Sequence, residues 1–141
     1  MAAVREVRVV AALIADCGVP TRYLVQQRLP GKARGLLWEF PGGKVEDGES
    51  DAEALVRECR EELAVELRVG GVCHETRHAY ADLVVTLALY GARVASGEPQ
   101  PLECHALRFA TPEEMAGLPF CEADLPLLED LRAGRLRTQL P

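Results

Sequence analysis

Three glutamates gather within five consecutive positions of the central segment GGKVEDGESDAEALVRECREELAV. On a helix, Glu58, Glu61 and Glu62 would share one face, where like charges repel and the helix dipole disfavours anions near the C-terminal end. Carboxylate oxygens are also the ligands that Mg²⁺ and Mn²⁺ prefer. Two interpretations follow: a metal-binding cradle, or a solvated acidic face with Arg57 and Arg60 as partial counter-charges.

The helix that carries these glutamates has a clear predicted start and an unusual predicted end. Ser50 and Glu53 have the spacing of a capping box, which predicts a start at about Asp51. Apolar residues at helical spacing predict the buried face: Ala52, Leu55, Val56, Cys59 and Leu63. Ala64 stands where glycine would be expected, and a left-handed alanine there would cost about 1 kcal/mol relative to glycine.

A longer pattern around the helix favours the metal interpretation. Gly43, Glu49, Arg57 and the three glutamates fit G-x5-E-x7-R-E-U-x-E-E-x-G-U, in which U is a bulky apolar residue. Cys59 fits the first U weakly, and Ala64 replaces the final glycine. This pattern is the Nudix box, and the chain resembles the Nudix hydrolase family.

The resemblance implies a fold, a reaction and a cofactor. The fold would be α+β, a mixed β-sheet sandwiched between helices (α/β/α), in a single domain over residues 1–141. The reaction would be hydrolysis of a nucleotide phosphoanhydride by water with Mg²⁺, for which Mn²⁺ can substitute. The implied metal ligands are the Gly43 carbonyl, Glu58, Glu61 and Glu62, and a carboxylate would help to deprotonate the water. Arg57 is expected to pair with Glu49 and orient the cradle.

Similarity extends to both sides of the box. The segments QQR, GLLWEFPGGKVEDGES and LPFCEADLPLLEDL look like the MutT-type branch of nucleoside triphosphate pyrophosphohydrolases, most closely its CTP pyrophosphohydrolase-like members. That branch implies cleavage of a nucleoside or deoxynucleoside triphosphate to the monophosphate and pyrophosphate, in the service of nucleotide-pool sanitation. Glu103 matches a further metal carboxylate of the branch; the alternative is an exposed loop acid.

The same resemblance suggests residues that bind substrate. Asp124 matches the base-reading position, where an ionised aspartate would accept from an amino group but could not donate to a carbonyl. An N-cap of the terminal helix is the alternative for Asp124. Lys44 would contact phosphate or be an exposed strand lysine, and Phe40 would line the pocket while Trp38 packs in the core. The other matched positions near substrate are Arg28, Tyr80, Asp82 and Leu83.

Two other functions stay open on the sequence. The first is a Nudix hydrolase of ADP-ribose or dinucleoside polyphosphates, against which the MutT-like ends of the chain argue. The second is a binding module that has kept the fold and lost catalysis, against which the intact glutamates argue.

Composition limits the class of protein further. The chain has 141 residues, of which 48% are hydrophobic and 27% charged, as expected of one globular domain. A net charge of −6 argues against binding polymeric nucleic acid. No apolar stretch reaches the roughly 20 residues of a membrane helix, so we expect a cytoplasmic protein, monomeric or homodimeric, with a small-molecule nucleotide as its partner. The five cysteines are odd in number and form no C-x-x-C pair, which predicts neither disulfides nor a zinc site.

The elements that would position these residues follow the order β-β-β-α-β-β-β-α. Alternating apolar residues predict a hairpin over residues 4–27, followed by a short strand LLWEF that PGG ends. The segments ELRVGGVCHETRHA and LVVTLALYGARV predict two long paired strands, and HALRFA predicts another strand. Thr111 and Glu114 have capping-box spacing for a short helix, and DLPLLEDLRAG predicts a terminal helix.

Overall fold

The computed structural model describes residues 5–19 and 21–141. Its strands, in chain order, are β1 (Glu6–Ile14), β2 (Tyr23–Gln27), β3 (Trp38–Glu39), β4 (Gly42–Lys44), β5 (Glu66–Ala79), β6 (Val84–Ser96) and β7 (Ala106–Ala110). Its helices are α1 (Asp51–Leu63), which follows β4, and α2 (Pro112–Ala116) and α3 (Leu125–Arg132), which follow β7. A 3₁₀ turn, Glu122–Asp124, precedes α3.

The strands form two sheets. The larger sheet has the order β4-β1-β6-β5, in which β1 and β6 run parallel and the other neighbours run antiparallel. The smaller sheet has the order β3-β2-β7 and is antiparallel throughout. The larger sheet is therefore mixed, as expected.

Helices cover both faces of the larger sheet because its central strands are apolar on both sides. One core cluster joins Leu55 and Leu63 of α1 to β1 and β6 residues such as Val10. The other joins Met115 of α2 and Leu127 of α3 to the alternate residues of the same two strands. The predicted α/β/α arrangement and α+β class are confirmed.

The predicted hairpin is wrong. Within the described part of residues 4–27, which leaves out residues 4 and 20, β1 and β2 do not pair as strands, and an isolated bridge joins Ala15, the residue after β1, to Tyr23. Both edges of β1 are taken, by β4 and β6, so β2 pairs in the other sheet. The residues from Val10 to Ile14 are all buried. The alternating apolar residues that predicted the hairpin therefore lie in a strand whose second half is buried on both faces.

The later elements agree better with the sequence. β5 and β6 form the expected long antiparallel pair, β7 lies where HALRFA predicted it, and Thr111 begins α2 with a full capping box. One strand was not expected: PGG does not end the strand region, because Gly42 begins β4. A Cβ atom at Gly42 would lie 1.9 Å from the Val10 carbonyl oxygen, so only glycine permits this approach to β1.

Candidate active site

Helix α1 begins and ends as the sequence suggests. The Ser50 hydroxyl accepts a hydrogen bond from the Glu53 N–H (3.1 Å), and the Glu53 carboxylate accepts one from the Ser50 N–H (3.0 Å). At the other end Ala64 has φ 58° and ψ 35°, and its N–H donates to the Arg60 carbonyl. Alanine thus adopts the left-handed conformation for which the pattern specifies glycine.

The buried face of α1 differs from the predicted stripe at two positions. Leu55, Cys59 and Leu63 are buried as expected, but Ala52 is exposed, Val56 is only half-buried, and Ala54 is buried instead. Which alanine is buried depends on how α1 packs against the sheet, which spacing alone does not specify. Glu58 and Glu62 are half-buried, at the border between the core and the solvent.

Glu58 and Glu62 form a closely coupled pair. Burial, followed by the hydrogen bond with Glu58 and the charge of Glu58, raises the pKa of Glu62 to about 9. Glu62 Oε2 is shielded from solvent and has no hydrogen-bond partner among the described residues. The raised pKa favours a protonated Glu62 beside Glu58 when no cation is bound, and one oxygen of Glu62 has no partner among the described residues.

The absence of a side chain at Gly43 leaves room for the Glu58 carboxylate. A Cβ atom at Gly43 would lie 2.3 Å from the carboxyl carbon of Glu58 and 2.5 and 2.6 Å from its oxygens. Any side chain at this position would displace the carboxylate. Strand β4 and helix α1 therefore bring the Gly43 backbone and Glu58 together, as the sequence pattern requires.

Glu61 and Glu103 lie apart from the pair. Glu61 is half exposed, and its carboxylate lies 3.5 Å from the Arg57 guanidinium. Glu103 is exposed in the loop before β7, although its charge contributes to the raised pKa of Glu62. Across residues 5–19 and 21–141, no three His, Cys, Asp or Glu side chains converge into a ready-made metal site.

The donor set nevertheless fits a hard divalent cation. Glu58 and Glu62 supply carboxylate oxygens, which suit Mg²⁺ and Mn²⁺. The unpartnered Oε2 atom of Glu62 is a free ligand position, and a cation there would compete with the proton that the raised pKa of Glu62 favours. The chemistry of the pair thus agrees with the cofactor that the family implies.

Arg57 connects α1 to the loop after β4. Its guanidinium donates to both oxygens of Glu49, from Nε at 2.7 Å and from a terminal nitrogen at 2.9 Å. It also donates to the Lys44 carbonyl (3.1 Å) and to Glu58 (2.9 Å). The expected pairing of Arg57 with Glu49 is present, and it lowers the pKa of Glu49 to about 2. This network holds the Glu58 carboxylate in one orientation.

A cavity of about 850 Å³ adjoins the carboxylate pair. Gly43, Glu58 and Glu62 form what we term its carboxylate side. Three segments form what we term its base side: the turn before α3 with Ala123 and Asp124, Tyr80 just after β5, and Arg34 in the loop between β2 and β3. Apolar residues of β1 and β6 also line it: Val7, Val9, Ala11, Val85 and Leu87.

Asp124 is a buried acid that stands at the N-cap position of α3 without capping the helix through its side chain. Its side chain is 5% exposed, makes no capping hydrogen bond to α3, and instead interacts with the backbone of Phe40. Burial, and then the negative charge of Glu39, raises the pKa of Asp124 well above its usual range. The raised pKa favours the neutral carboxyl group, which both donates and accepts.

Glu39 is a site residue that the sequence reading missed. Its carboxylate accepts hydrogen bonds from Gln26 Nε2 (3.0 Å) and from the Arg28 guanidinium (3.1 Å). Its charge contributes to the raised pKa values of both Glu62 and Asp124, so it lies within electrostatic reach of both sides of the cavity. The sequence did carry a signal for Glu39: it stands between two aromatic residues, Trp38 and Phe40, both of which are buried.

Most of the other candidate substrate contacts line the cavity. These are Arg28, Phe40, Lys44, Tyr80 and Leu83. Arg28 already binds Glu39 and the Ala33 carbonyl. Asp82 is outside the lining: its side chain is 62% exposed and pairs with Arg34 at 3.0 Å. Trp38 is buried in the core, as expected.

Comparison with known proteins gives matches along most of the chain. The family model for the NUDIX domain matches residues 10–130. The CTP pyrophosphohydrolase of Escherichia coli strain K12 is 38% identical over 131 residues, which cover 93% of this chain and 95% of that protein. The 8-oxo-dGTP diphosphatase of Proteus vulgaris is 30% identical over 86 residues, covering 61% of this chain and 75% of that protein.

A solved structure shares the fold as well. The MutT NUDIX hydrolase from Burkholderia pseudomallei has a TM-score of 0.77 and 27% identity, and the match covers 89% of this chain and 97% of that one. The similarity therefore extends well beyond the segment that carries the glutamates.

Proposed function

The chain belongs to the Nudix hydrolase family, and from this premise we propose that it cuts a nucleoside or deoxynucleoside triphosphate to the monophosphate and pyrophosphate, with Mg²⁺ as cofactor. Membership of the family already makes the protein a hydrolase that acts on nucleotide phosphoric anhydrides. One observation carries the proposal: a single cavity is lined by the Glu58 and Glu62 carboxylates on one side and by the buried Asp124, whose pKa is raised, on another.

On the carboxylate side we assign Glu58, Glu62 and the Gly43 carbonyl as the residues that hold the metal, with Glu61 and Glu103 as further ligands. When bound, the metal neutralises phosphate charge and activates water. Arg57 and Glu49 keep Glu58 in position, and one carboxylate of the group accepts the proton of the water that attacks the β-phosphorus. Lys44 lines the cavity nearby and is assigned to a phosphate oxygen.

On the base side Asp124 has a raised pKa, which favours a neutral carboxyl group. Such a group presents one donor and one acceptor side by side. The N3 and N4-amino edge of cytosine, the O6 and N1–H edge of guanine and the N1 and N6-amino edge of adenine all complement it, so this contact alone does not choose the base. We propose cytidine-type nucleotides as the first substrates to test because the 38% identical relative is named for CTP. A further relative is named for 8-oxo-dGTP, which is the second.

The biological role that we propose is removal of unwanted nucleotides from the cytoplasmic pool. Two relatives support it, since one is named for CTP and another for 8-oxo-dGTP. Among the described residues, no helix is both long and apolar enough to cross a membrane.

A nucleotide panel with product analysis tests the proposal. Purified protein with Mg²⁺ is given CTP, dCTP, 5-methyl-dCTP, 8-oxo-dGTP and ADP-ribose, and kcat/KM is measured for each. We expect the triphosphates to yield pyrophosphate rather than orthophosphate. Preferred release of ribose 5-phosphate from ADP-ribose would favour the other Nudix activity, and no product with any nucleotide would favour a binding module.

The matched variants are Glu62→Gln and Glu113→Gln. The first removes one carboxylate of the coupled pair, and we expect kcat to fall by roughly a hundredfold or more because metal charge stabilisation is lost. The second changes an exposed glutamate of α2, outside the cavity lining, and should leave kcat within twofold. Near-normal turnover in Glu62→Gln would contradict the assignment.

A further inference from the structure

The loop between β2 and β3 places an arginine, Arg34, on the base side of the cavity, outside the box and outside every motif matched above. Its guanidinium carbon lies 3.9 Å from the centroid of the Tyr80 ring. Its terminal nitrogen donates to Asp82 at 3.0 Å, and the side chain is 23% exposed. The planar cation is thus stacked on an aromatic ring at the wall of the cavity.

The backbone of this loop fixes the direction of Arg34. Arg34 and Leu36 have φ values of 58° and 63°, a left-handed conformation that residues other than glycine adopt only when their surroundings impose it. Arg28 supplies those surroundings: its Nε donates to the Ala33 carbonyl (2.9 Å), and its own carbonyl accepts from the Leu36 N–H (3.0 Å). The strained turn therefore presents Arg34 in a defined position.

One hydrogen bond joins this stack to the residue before Asp124. The Tyr80 hydroxyl accepts from the Ala123 N–H at 2.9 Å, and Ala123 directly precedes Asp124. The His78 ring packs edge-on against the Tyr80 ring, with 4.6 Å between the two ring centroids. A nucleobase held by Asp124 would therefore lie beside a guanidinium whose orientation is already set.

We propose that Arg34 is a specificity-determining residue that contacts the nucleobase through its guanidinium plane. Every nucleobase has a π-face, and guanidinium groups stack favourably on such faces. The inference rests on the proposed function, because it places the base next to Asp124. It adds a contact from a loop that the shared motifs do not include, and that contact acts on the base and not on the phosphates.

The test separates the base from the phosphates by using two substrates. Wild-type protein, Arg34→Ala and Arg34→Lys are compared on CTP and on ribose 5-triphosphate, which carries the same sugar and phosphates without a base. For CTP we expect Arg34→Ala to lower kcat/KM about tenfold, mainly through KM, the size of one lost stacking contact. For ribose 5-triphosphate we expect no change beyond twofold. Lysine should not restore the rate on CTP, because an ammonium group is not planar.

The control variant is Lys32→Ala, an exposed residue of the same loop outside the cavity lining, which should behave as wild type on both substrates. Equal losses on the two substrates would overturn the inference, since Arg34 would then act on the fold or the phosphates. Unchanged kcat/KM for CTP in Arg34→Ala would also overturn it. Arg34→Lys keeps the aliphatic stem if Arg34→Ala fails to fold. A wild-type protein that cleaves no nucleotide would refute the proposed function, and this inference with it.

Discussion

Ala64 combines a left-handed backbone with a Cβ atom at the end of the helix that carries the metal-binding candidates. Replacing it with glycine removes a steric conflict between Cβ and the backbone. We expect Ala64→Gly to raise the free energy of unfolding by about 1 kcal/mol, as measured by urea denaturation, with kcat/KM within twofold of wild type.

A second alanine provides the control for that change. Ala133 ends α3 with φ −77° and ψ −3°, where no left-handed strain exists. Ala133→Gly should therefore lower the free energy of unfolding slightly or leave it unchanged. A many-fold gain of activity in Ala64→Gly would show that the missing glycine affects chemistry and not only stability.

Asp124 should make stability depend on pH. Its pKa is raised on folding, so the folded protein keeps a proton that the unfolded chain releases above about pH 4. The stability contribution is complete below the unfolded pKa and declines as pH rises toward the folded pKa, by at most about 1.4 kcal/mol per pH unit.

Asp124→Asn removes this dependence while keeping an acceptor for the Phe40 backbone. Urea denaturation at four pH values between 4.5 and 7.5 should show Asn gaining on wild type as the pH rises. Asp47→Asn, at an exposed aspartate, is the control and should follow wild type. A constant difference between Asp124→Asn and wild type would contradict a buried protonated acid.

Among the structural elements, the junction of β4 and α1 depends on one side chain. Arg57 binds Glu49 with two nitrogens, and it also contacts Glu58 and the Lys44 carbonyl, so it fixes how the strand and helix present the carboxylates. Lysine cannot reproduce a two-nitrogen contact. We expect Arg57→Lys to raise the Mg²⁺ concentration needed for half-maximal activity by about tenfold or more.

Arg60 is the matched control on the same helix. It also pairs with a glutamate through two nitrogens, but Arg60 and Glu66 are largely exposed and lie away from the cavity. Arg60→Lys should leave the Mg²⁺ dependence of activity unchanged. An equal shift in both variants would assign the effect of Arg57 to helix stability.

For the whole molecule, metal binding should be visible as stability. In the free protein Glu62 is largely buried beside Glu58, and burial and the Glu58 charge raise the pKa of Glu62. A cation that binds only the folded state adds RT ln(1 + [L]/Kd), or about 1 to 3 kcal/mol at 10 to 100 times Kd. Differential scanning fluorimetry should therefore show a higher Tm in millimolar Mg²⁺ than in EDTA.

Glu62→Gln should abolish most of that increase, because the unpartnered oxygen becomes part of an amide and the negative charge is lost. Glu113→Gln should keep it. A Tm that does not respond to Mg²⁺ in the wild-type protein would contradict the metal assignment, whatever the activity data show.

The sequence by itself determined the local features of this protein. The capping boxes at Ser50 and Thr111, the helix that ends at Ala64 and the strand pair β5–β6 are set by neighbouring residues, and the structure contains them all. The fold class and family could likewise be read from the spacing of the box. Such features depend on hydrogen bonds and spacings within a few turns or one tight connection, which sequence records directly.

Tertiary structure alone decided the partners of distant residues. β1 is buried on both faces, so its alternation could not show that β4 and β6, rather than β2, would pair with it. The raised pKa of Asp124 depends on burial and on the charge of Glu39, which lies far from it in the chain. Arg34 meets Tyr80 for the same reason. Burial and electrostatic fields are sums over neighbours in space, and a linear sequence does not specify those neighbours.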